Sequence, residues 1–418
     1  MQKMITWLEK DFSPKMMKIN HNVWVTTLKD SIMQVLPFIL LGSLFCLLTI
    51  PGDVFHLKHY PNFWTLFGWT MGVLSLLISF LIPFNLMEKK RLRKQRFIAG
   101  STGLITFLMI ITPQVIADKA IGFSHASLGA GGMFVAIAAG VFTGYIMGLF
   151  GKFSFFKEDS VIPDFVRAWF DSMLPIGVVI VATWLVVDIA HFDLYNVIQN
   201  IFKPLAQIFE SPWGFALIMF ITCFIYSMGI STWVLQPITK PVILAAITAN
   251  ATAGAANLVT AETMYSAYLW IGGIGCTLPL VLMLTFSKSA KLKALGRASL
   301  VPGIFNINEP VVFGAIAWNP IMMFPMWING LVLPLIIWFA TKVIHFAPVP
   351  KIVFDLWYVP FPFSTWITTG AISGLILMLI IAAVSTAIWF PFFKVYEKQE
   401  LANETIEPKN SASLKEAK

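Results

Sequence analysis

Residues 303–310 of the chain read Gly303-Ile304-Phe305-Asn306-Ile307-Asn308-Glu309-Pro310. This stretch carries two amides and a carboxylate, and Pro302 precedes it, within a long and mostly apolar part of the sequence. A carboxylate at membrane depth costs on the order of 2.5 kcal/mol or more and therefore usually marks a functional site. The prolines and Gly303 predict a break in a helix, whose freed backbone groups require a protein-lined or water-lined cavity. We interpret the stretch as the place where a polar solute is held while it crosses a bilayer.

The composition indicates a membrane protein. Of the 418 residues, 57% are hydrophobic and 12% are charged, whereas soluble domains contain about 25% charged residues. The formal net charge is +8, but the basic residues lie in short clusters between apolar segments, a pattern typical of membrane topology signals. We therefore predict an all-α polytopic protein that is surrounded by membrane lipid and has no nucleic-acid partner.

Apolar segments of about 20 residues, the length that a bilayer requires, recur along the chain. With 232–250 counted as one crossing and 300–317 as a re-entrant hairpin, the pattern predicts about ten transmembrane helices, and nine or eleven are also compatible with it. The other predicted spans are residues 31–50, 66–86, 97–116, 129–150, 173–190, 212–230, 264–286, 320–344 and 367–389. Prolines also interrupt 232–250, so a second re-entrant or discontinuous helix is expected there.

The same pattern predicts four regions: an amphipathic N-terminal segment (1–30), an N-terminal transmembrane half with an amphipathic connector (31–172), a C-terminal half (173–393) and a charged tail (394–418). Basic clusters at 89–96 and 288–297 predict cytoplasmic loops on the same side as both termini. Small residues in the fourth span suit either packing within the chain or a subunit interface. They are Gly131, Gly132, Ala136, Ala139, Gly140 and Gly144.

Asn306, Asn308 and Glu309 form a polar cluster that suits a sugar. Amide side chains offer donors and acceptors together, and a carboxylate accepts two or more hydrogen bonds from hydroxyl groups. Two alternatives are that Glu309 caps a helix or that it pairs with Lys240. Asn319 follows shortly afterwards, and it either lines the same cavity or ends the hairpin.

Aromatic residues surround Pro360 and Pro362 before the last span. Their faces could stack on pyranose rings, but aromatic belts are common at the ends of spans, and the sequence alone favours a belt. The residues are Trp357, Tyr358, Phe361, Phe363 and Trp366.

Catalytic and metal-binding signatures are not found in the sequence. It contains no G-x-x-x-x-G-K-[ST], G-x-S-x-G or H-E-x-x-H pattern, so neither ATP hydrolysis nor a catalytic residue is predicted. Cys46, Cys223 and Cys276 lie in apolar runs without metal-ligand spacing. We therefore predict no metal site, no cofactor and no disulfide framework.

The stretch 302–314, Pro-Gly-Ile-Phe-Asn-Ile-Asn-Glu-Pro-Val-Val-Phe-Gly, together with Asn319-Pro320-Ile321-Met322-Met323, resembles the signature of a known family. This family is the membrane (C) component of the bacterial sugar phosphotransferase system, in its lactose/cellobiose/diacetylchitobiose branch. The resemblance runs nearly end to end and includes the region of Phe12-Ser13-Pro14 and the closing stretch 390–399.

The resemblance implies a homodimeric permease of the bacterial plasma membrane with about ten transmembrane helices. Such a permease binds a β-linked disaccharide, such as a cellobiose-, chitobiose- or lactose-like sugar, in its C-terminal half. Separate A and B components relay phosphate from phosphoenolpyruvate, and a cysteine of the B component phosphorylates the sugar. This chain would be the C component and would carry no phosphorylated residue of its own. Glu309 would contact sugar hydroxyls.

Two stretches depart from the family pattern. Gly229-Ile230-Ser231-Thr232 places Ser231 where the family usually has a sugar-contacting histidine, and serine cannot carry a proton near neutral pH as histidine can. Phe363-Ser364-Thr365-Trp366 replaces a tryptophan-threonine-threonine-proline stretch. Ser231, Thr365 and Trp366 join the predicted sugar-binding set. Two other functions stay open: an ion- or proton-coupled secondary sugar transporter, and a divergent membrane sensor that does not transport.

Overall fold

The structure, a computed structural model, describes residues 10–11, 13–54, 59–116, 120–156 and 163–416. The chain forms two compact units. Unit 1 contains Met1–Met16, Gln207–Thr232 and Ala246–Lys418, and unit 2 contains Met17–Ala206 and Trp233–Ala245. Residues 172/173, the predicted boundary between the two halves, lie inside a continuous helix that packs on helices of unit 2. The assignment of dimer contacts to one half and sugar binding to the other stays a prediction.

Helices and one two-stranded hairpin make up the first half of the described chain. The helices are α1 (Ser13–Asn20), α2 (Val23–Val54), α3 (Trp64–Thr70), α4 (Leu74–Lys89), α5 (Arg96–Ile110), α6 (His125–Leu128), α7 (Met133–Leu149), α8 (Asp164–Trp184) and α9 (Leu194–Glu210). Strands β1 (Gln114–Ile116) and β2 (Ala120–Gly122) pair antiparallel, with Gln114 opposite Gly122. Residues 1–9 and 12 of the predicted N-terminal segment, and 157–162 of the predicted connector, lie outside the described residues.

Helix α4 is central to unit 2, where it packs against α2, α5 and α7. Its contact with α7 is close because the facing residues of α7 are small. A Cβ atom at Gly140 would lie 2.9 Å from the Cβ of Ile82, and one at Gly144 would lie 2.8 Å from a methyl group of Leu86. The predicted small-residue face is therefore used for packing within the chain, the first of its two alternatives.

The second half of the described chain is also helical. Its helices are α10 (Pro212–Ser227), α11 (Gln236–Ala253), α12 (Leu278–Thr285), α13 (Ala290–Ile304), α14 (Glu309–Val311), α15 (Pro320–Trp338), α16 (Phe363–Thr369) and α17 (Ile372–Glu416). π-Helical turns occupy Glu262–Ala267, Val312–Ile316 and Phe339–Val343. The tail predicted at 394–418 is the continuation of α17 through Glu416.

The described residues contain six helices that are long and apolar enough to cross a membrane, or seven if the bent pair α9 and α10 is one span. The predicted count of ten is not confirmed. One reason is that the span predicted at 97–116 forms a helix of only 15 residues. Another is that 264–286 divides into a π-helical turn, a loop and the short helix α12, because Gly272, Gly273 and Gly275 adopt positive φ angles that favour glycine and end helices.

The core of unit 1 lies beneath the motif stretch. Helix α10 packs along α15, and α12 packs against α13 and α17. A Cβ atom at Gly296 of α13 would lie 2.2 Å from the backbone nitrogen of Thr285 in α12, so the two helices touch at the backbone. Buried side chains fill the space between these helices: Leu280, Val281, Leu284, Val312, Ile316, Met326, Trp389 and Phe393. This packing fixes where the chain leaves α13 and enters α14.

Candidate functional site

The predicted break in the motif stretch is present in unit 1. Helix α13 runs through Pro302 and ends at Ile304, and the Ile307 N–H donates to the Pro302 carbonyl at 2.9 Å. Asn306 adopts a positive φ of 61°, a conformation that asparagine tolerates better than most residues. Helix α14 starts at Glu309, with Pro310 in its first turn, where the missing N–H of proline has no cost.

Asn306 connects this break to two neighbouring segments through hydrogen bonds. Its side-chain oxygen accepts from the Gly272 N–H at 2.9 Å, and its side-chain nitrogen donates to the carbonyls of Trp357 at 2.8 Å and Val359 at 3.0 Å. The side chain is buried, and both of its N–H donors are used. The Asn306 side chain therefore holds the loop before the last span by binding backbone carbonyls of that loop.

Asn308 is hydrogen-bonded in the same way to the glycine-rich loop, which contains Gly272, Gly273 and Gly275. Its side-chain nitrogen donates to the Ile274 carbonyl at 2.8 Å and to the Thr277 hydroxyl at 3.2 Å, and its oxygen accepts from the Tyr226 hydroxyl at 3.3 Å. The loop passes so closely that a Cβ atom at Gly273 would lie 2.5 Å from the side-chain carbon of Asn308. Asn308 is buried, and its amide is committed to the protein.

Glu309 differs from both asparagines because its side chain is exposed. Lys240, its partner in the ion-pair alternative, belongs to unit 2 and Glu309 to unit 1, and this alternative stays a prediction. The residue before α14, Asn308, makes no side-chain cap. The Tyr226 hydroxyl lies against the Glu309 carboxylate and interacts with it. The carboxylate keeps acceptor capacity for a ligand, since it can accept several hydrogen bonds.

The turn that carries Ser231 lies beside this segment. Gly229 has a φ of +71°, and a Cβ atom there would be 3.7 Å from both Phe313 and the indole nitrogen of Trp318. The Trp318 N–H donates to the Ser227 carbonyl at 3.1 Å. Ser231, two residues after Gly229, is half-buried.

The remaining predicted site residues take different positions. Asn319 caps the start of α15, because its side-chain oxygen accepts from the Ile321 N–H, and its nitrogen donates to the Ala315 carbonyl. Thr365 is fully buried, and its hydroxyl donates to the Ala267 carbonyl at 2.7 Å. Trp366 beside it is 48% exposed.

Tyr226 is a residue of this site that sequence reasoning missed. It lies near the end of an apolar predicted span, where a tyrosine resembles an ordinary core residue. A signal was available, since a buried tyrosine hydroxyl nearly always has a hydrogen-bond partner. The partner itself lies 82 residues away in the sequence, so the sequence pattern could not identify it.

Metal-ligating side chains do not cluster in the described ranges, where no group of three or more His, Cys, Asp or Glu residues could hold an ion. The three cysteines are buried and unbridged. An arrangement of apolar spans and an accessible carboxylate at a broken helix is typical of membrane transporters.

The profile of the family described as "Phosphotransferase system, EIIC" matches residues 29–330. This is most of the chain, and the chain therefore belongs to the phosphotransferase system EIIC family. The match confirms the resemblance read from the motif stretch.

Individual relatives agree with the family. The cellobiose-specific EIIC component of Geobacillus stearothermophilus is 28% identical, over 98% of this chain and 97% of the relative. The lactose-specific EIICB component of Staphylococcus epidermidis is 28% identical, over 100% of this chain and 74% of the relative. Among solved structures, the transporter ChbC, the IIC component of the N,N'-diacetylchitobiose-specific phosphotransferase system, matches with a TM-score of 0.83 and 28% identity. That match covers 96% of this chain and 99% of ChbC.

Proposed function

We propose that this chain translocates a β-linked disaccharide or a related glycoside, of the cellobiose, chitobiose or lactose type, so that a partner B component can phosphorylate it. The named specificities of the relatives support this substrate class. The observation that supports the proposal most is that the polar residues of the motif differ in their contacts. Both asparagines are bonded to the protein, whereas Glu309 remains exposed.

Glu309 is the proposed ligand for sugar hydroxyls. A charged side chain at membrane depth is retained where it faces a cavity or a substrate path, and a carboxylate binds hydroxyl groups through strong charge-assisted hydrogen bonds. Ser231 is proposed to add a hydroxyl donor or acceptor from the turn that touches Phe313, and Trp366 an aromatic face. Asn306, Asn308, Asn319 and Thr365 are proposed to shape the site through the backbone groups they hold.

The proposed partners supply the phosphoryl group. In the reaction that the family implies, the phosphorus–sulfur bond on the B-component cysteine breaks, a phosphorus–oxygen bond forms to a sugar hydroxyl, and the hydroxyl proton is lost. The fused EIICB relative supports a B partner. We further propose a homodimer that contacts itself through the N-terminal half, and both chain termini on the cytoplasmic side of the bacterial membrane.

Uptake into proteoliposomes tests the function. Vesicles that contain the purified protein are given labelled cellobiose, N,N'-diacetylchitobiose, lactose or α-linked maltose, with or without phosphoenolpyruvate and the full phosphotransferase relay. We expect a β-linked sugar phosphate to accumulate only when the relay is complete. Accumulation driven by a proton gradient alone would instead indicate a secondary transporter. Binding without uptake, with every partner present, would indicate a sensor.

A further inference from the structure

Tyr226 is a buried tyrosine at the end of helix α10, with 6% of its surface exposed. A buried phenol hydroxyl needs a hydrogen-bond partner, because leaving it unpaired is costly. The partners of Tyr226 are the two consecutive residues on which the proposed function depends, Asn308 and Glu309.

The contacts of Tyr226 extend along the whole turn around Glu309. Its hydroxyl donates to the Asn308 side-chain oxygen at 3.3 Å and lies against the Glu309 carboxylate. Its ring packs edge-to-face on Phe313, with 6.3 Å between the ring centroids. Phe313 follows Glu309 by four residues, so one side chain touches residues on both sides of the carboxylate as well as the carboxylate itself.

The end of helix α10 is held firmly against the same part of unit 1. Ser227, the next residue, accepts at its carbonyl from the Trp318 N–H at 3.1 Å. The Ser227 hydroxyl oxygen accepts from the indole N–H of Trp327 at 2.9 Å. These bonds fix the backbone from which Tyr226 projects. A group that is fixed on both sides in this way can hold another side chain in one orientation.

One hydroxyl hydrogen faces two acceptors here. The amide nitrogen of Asn308 is already bonded to Ile274 and Thr277, so the Asn308 oxygen cannot turn away from Tyr226. The bond to that oxygen is long at 3.3 Å, whereas a carboxylate is the stronger acceptor for the same hydrogen. Donation to one Glu309 oxygen would leave the other carboxylate oxygen for a ligand.

We propose that Tyr226 is a positioning residue that holds the Glu309 carboxylate in its sugar-binding orientation by a hydrogen bond shared between Glu309 and Asn308. This inference rests on the proposed function, because Tyr226 acts through Glu309, the residue that is proposed to bind the sugar. It adds a residue from a different helix to the site and explains how an exposed carboxylate is held in one orientation.

The test compares Tyr226→Phe with a matched control, Tyr268→Phe. Tyr268 is also buried in unit 1, but its hydroxyl donates to the Pro348 carbonyl at 2.8 Å. Calorimetry measures the binding of cellobiose and of its monodeoxy analogues to the purified parent protein, to both variants and to Glu309→Gln. The analogue of interest is the one whose affinity responds least to Glu309→Gln, since it lacks the hydroxyl that Glu309 binds.

We expect Tyr226→Phe to weaken cellobiose binding about tenfold, less than the loss of a hydrogen bond to a charged group would give, because Glu309 keeps its charge and loses only its fixed orientation. Binding of the selected deoxy analogue should not change, and in the Glu309→Gln background Tyr226→Phe should add nothing. Tyr268→Phe should affect cellobiose and the analogue equally or not at all. An equal loss for both sugars in Tyr226→Phe, or no loss, would overturn the positioning role.

A second measurement needs no sugar and separates this inference from the substrate proposal. Dicyclohexylcarbodiimide reacts with a carboxyl group in its protonated form, and mass spectrometry reports the modification of Glu309. Tyr226→Phe removes the hydroxyl that lies against the carboxylate and competes with the reagent for it, so we expect Glu309 to be labelled several times faster than in the parent protein or in Tyr268→Phe. Equal labelling rates in all three proteins would reject the contact, whichever sugar the protein binds. A parent protein that binds none of the disaccharides, but shows the labelling difference, would reject the substrate class alone.

Discussion

Helix α13 begins at Ala290 among glutamates of helix α17 and ends at Ile304, shortly before Glu309. At its start, Glu397 accepts from the Ser287 hydroxyl at 2.7 Å and from the Lys288 N–H at 2.8 Å. Glu404 accepts from the Ser289 hydroxyl at 2.6 Å and from the Lys291 N–H at 3.0 Å. Beyond its end, Glu309 is exposed, and its carboxylate lies against the Tyr226 hydroxyl.

The difference separates two uses of the same side chain. The first turn of a helix has free N–H groups and a partial positive charge, so the carboxylates at the start of α13 satisfy the backbone and stabilise the fold. Glu309 also begins a helix, but that helix, α14, has only three residues, and the Glu309 side chain is exposed. A carboxylate with unused acceptors in an apolar region is kept for what it binds. Substitutions at the two places should therefore affect different properties.

The largest expected effect is on sugar binding by Glu309→Gln. The amide keeps the size of the side chain but loses the charge, and hydrogen bonds to a charged group contribute about 2 kcal/mol. We expect affinity for the transported β-linked disaccharide to fall at least about thirtyfold in calorimetry, with an unchanged melting temperature. Glu404→Gln is the matched control and should bind the sugar as the parent does. Equal sugar affinity of Glu309→Gln and the parent would show that the Glu309 carboxylate does not bind the sugar.

Glu397→Ala should show the opposite pattern. Glu397 is buried and accepts from a side chain, a backbone N–H and the Lys394 ammonium, so its loss leaves buried donors unpaired. We expect a decrease in the free energy of unfolding of about 2 kcal/mol, measured by thermal unfolding in detergent. Sugar affinity of the folded protein should stay within about twofold of the parent. A selective loss of binding would contradict the contrast between the two places.

Gly273→Ala tests whether the asparagines position the site. Gly273 has a φ of +100°, and the new methyl carbon would lie 2.5 Å from the Asn308 side chain, so Asn308 must move. We expect about tenfold weaker sugar binding, since a shift of about 1 Å at a site has effects of this order or larger. Gly254→Ala is the control, because Gly254 also has a positive φ, of +67°, but no atom within 4 Å. The same loss of affinity in both variants would indicate backbone strain and not displacement of Asn308.

The smallest effect concerns a carboxylate at another helix start. Asp193 precedes α9 and accepts from the Asn196 N–H at 2.9 Å and from its side-chain amide at 2.6 Å. These hydrogen bonds lower the pKa of the Asp193 carboxyl below its ordinary value. The folded state therefore gains stability above about pH 4, and this gain is lost as the pH falls through the lowered pKa. We expect Asp193→Ala to cost about 0.5 kcal/mol at pH 7, with no difference from the parent in strong acid. A difference that grows on acidification would contradict this role.

Much of the fold could be predicted from local patterns. The helical membrane class follows from composition, and the break at 305–308 follows from Pro302, Gly303 and Pro310. Span number was harder, because it depends on whether a glycine-rich stretch such as 272–276 continues a helix or turns out of it. That outcome is decided by partners such as Asn308, which lies 34 residues from the Ile274 carbonyl that it binds.

Within the site, the sequence identified the motif but could not assign roles to its members. Asn306, Asn308 and Glu309 are equally polar in a sequence, and all three were predicted to contact sugar. Their difference arises from backbone groups that the fold brings to them. Asn306 reaches carbonyls 51 and 53 residues away, whereas no comparable backbone partner is described for Glu309.

The amino-acid sequence by itself determined that this chain lies in a membrane, where its main helix break occurs and to which family it belongs. These properties depend on transfer free energies and on residue types at short spacing. Tertiary structure alone decided which polar side chains form hydrogen bonds within the protein and which one remains available to a ligand. It also added Tyr226 to the site. The physical reason is that a hydrogen-bond donor or acceptor is free or used only relative to its neighbours in space, and those neighbours come from distant parts of the chain.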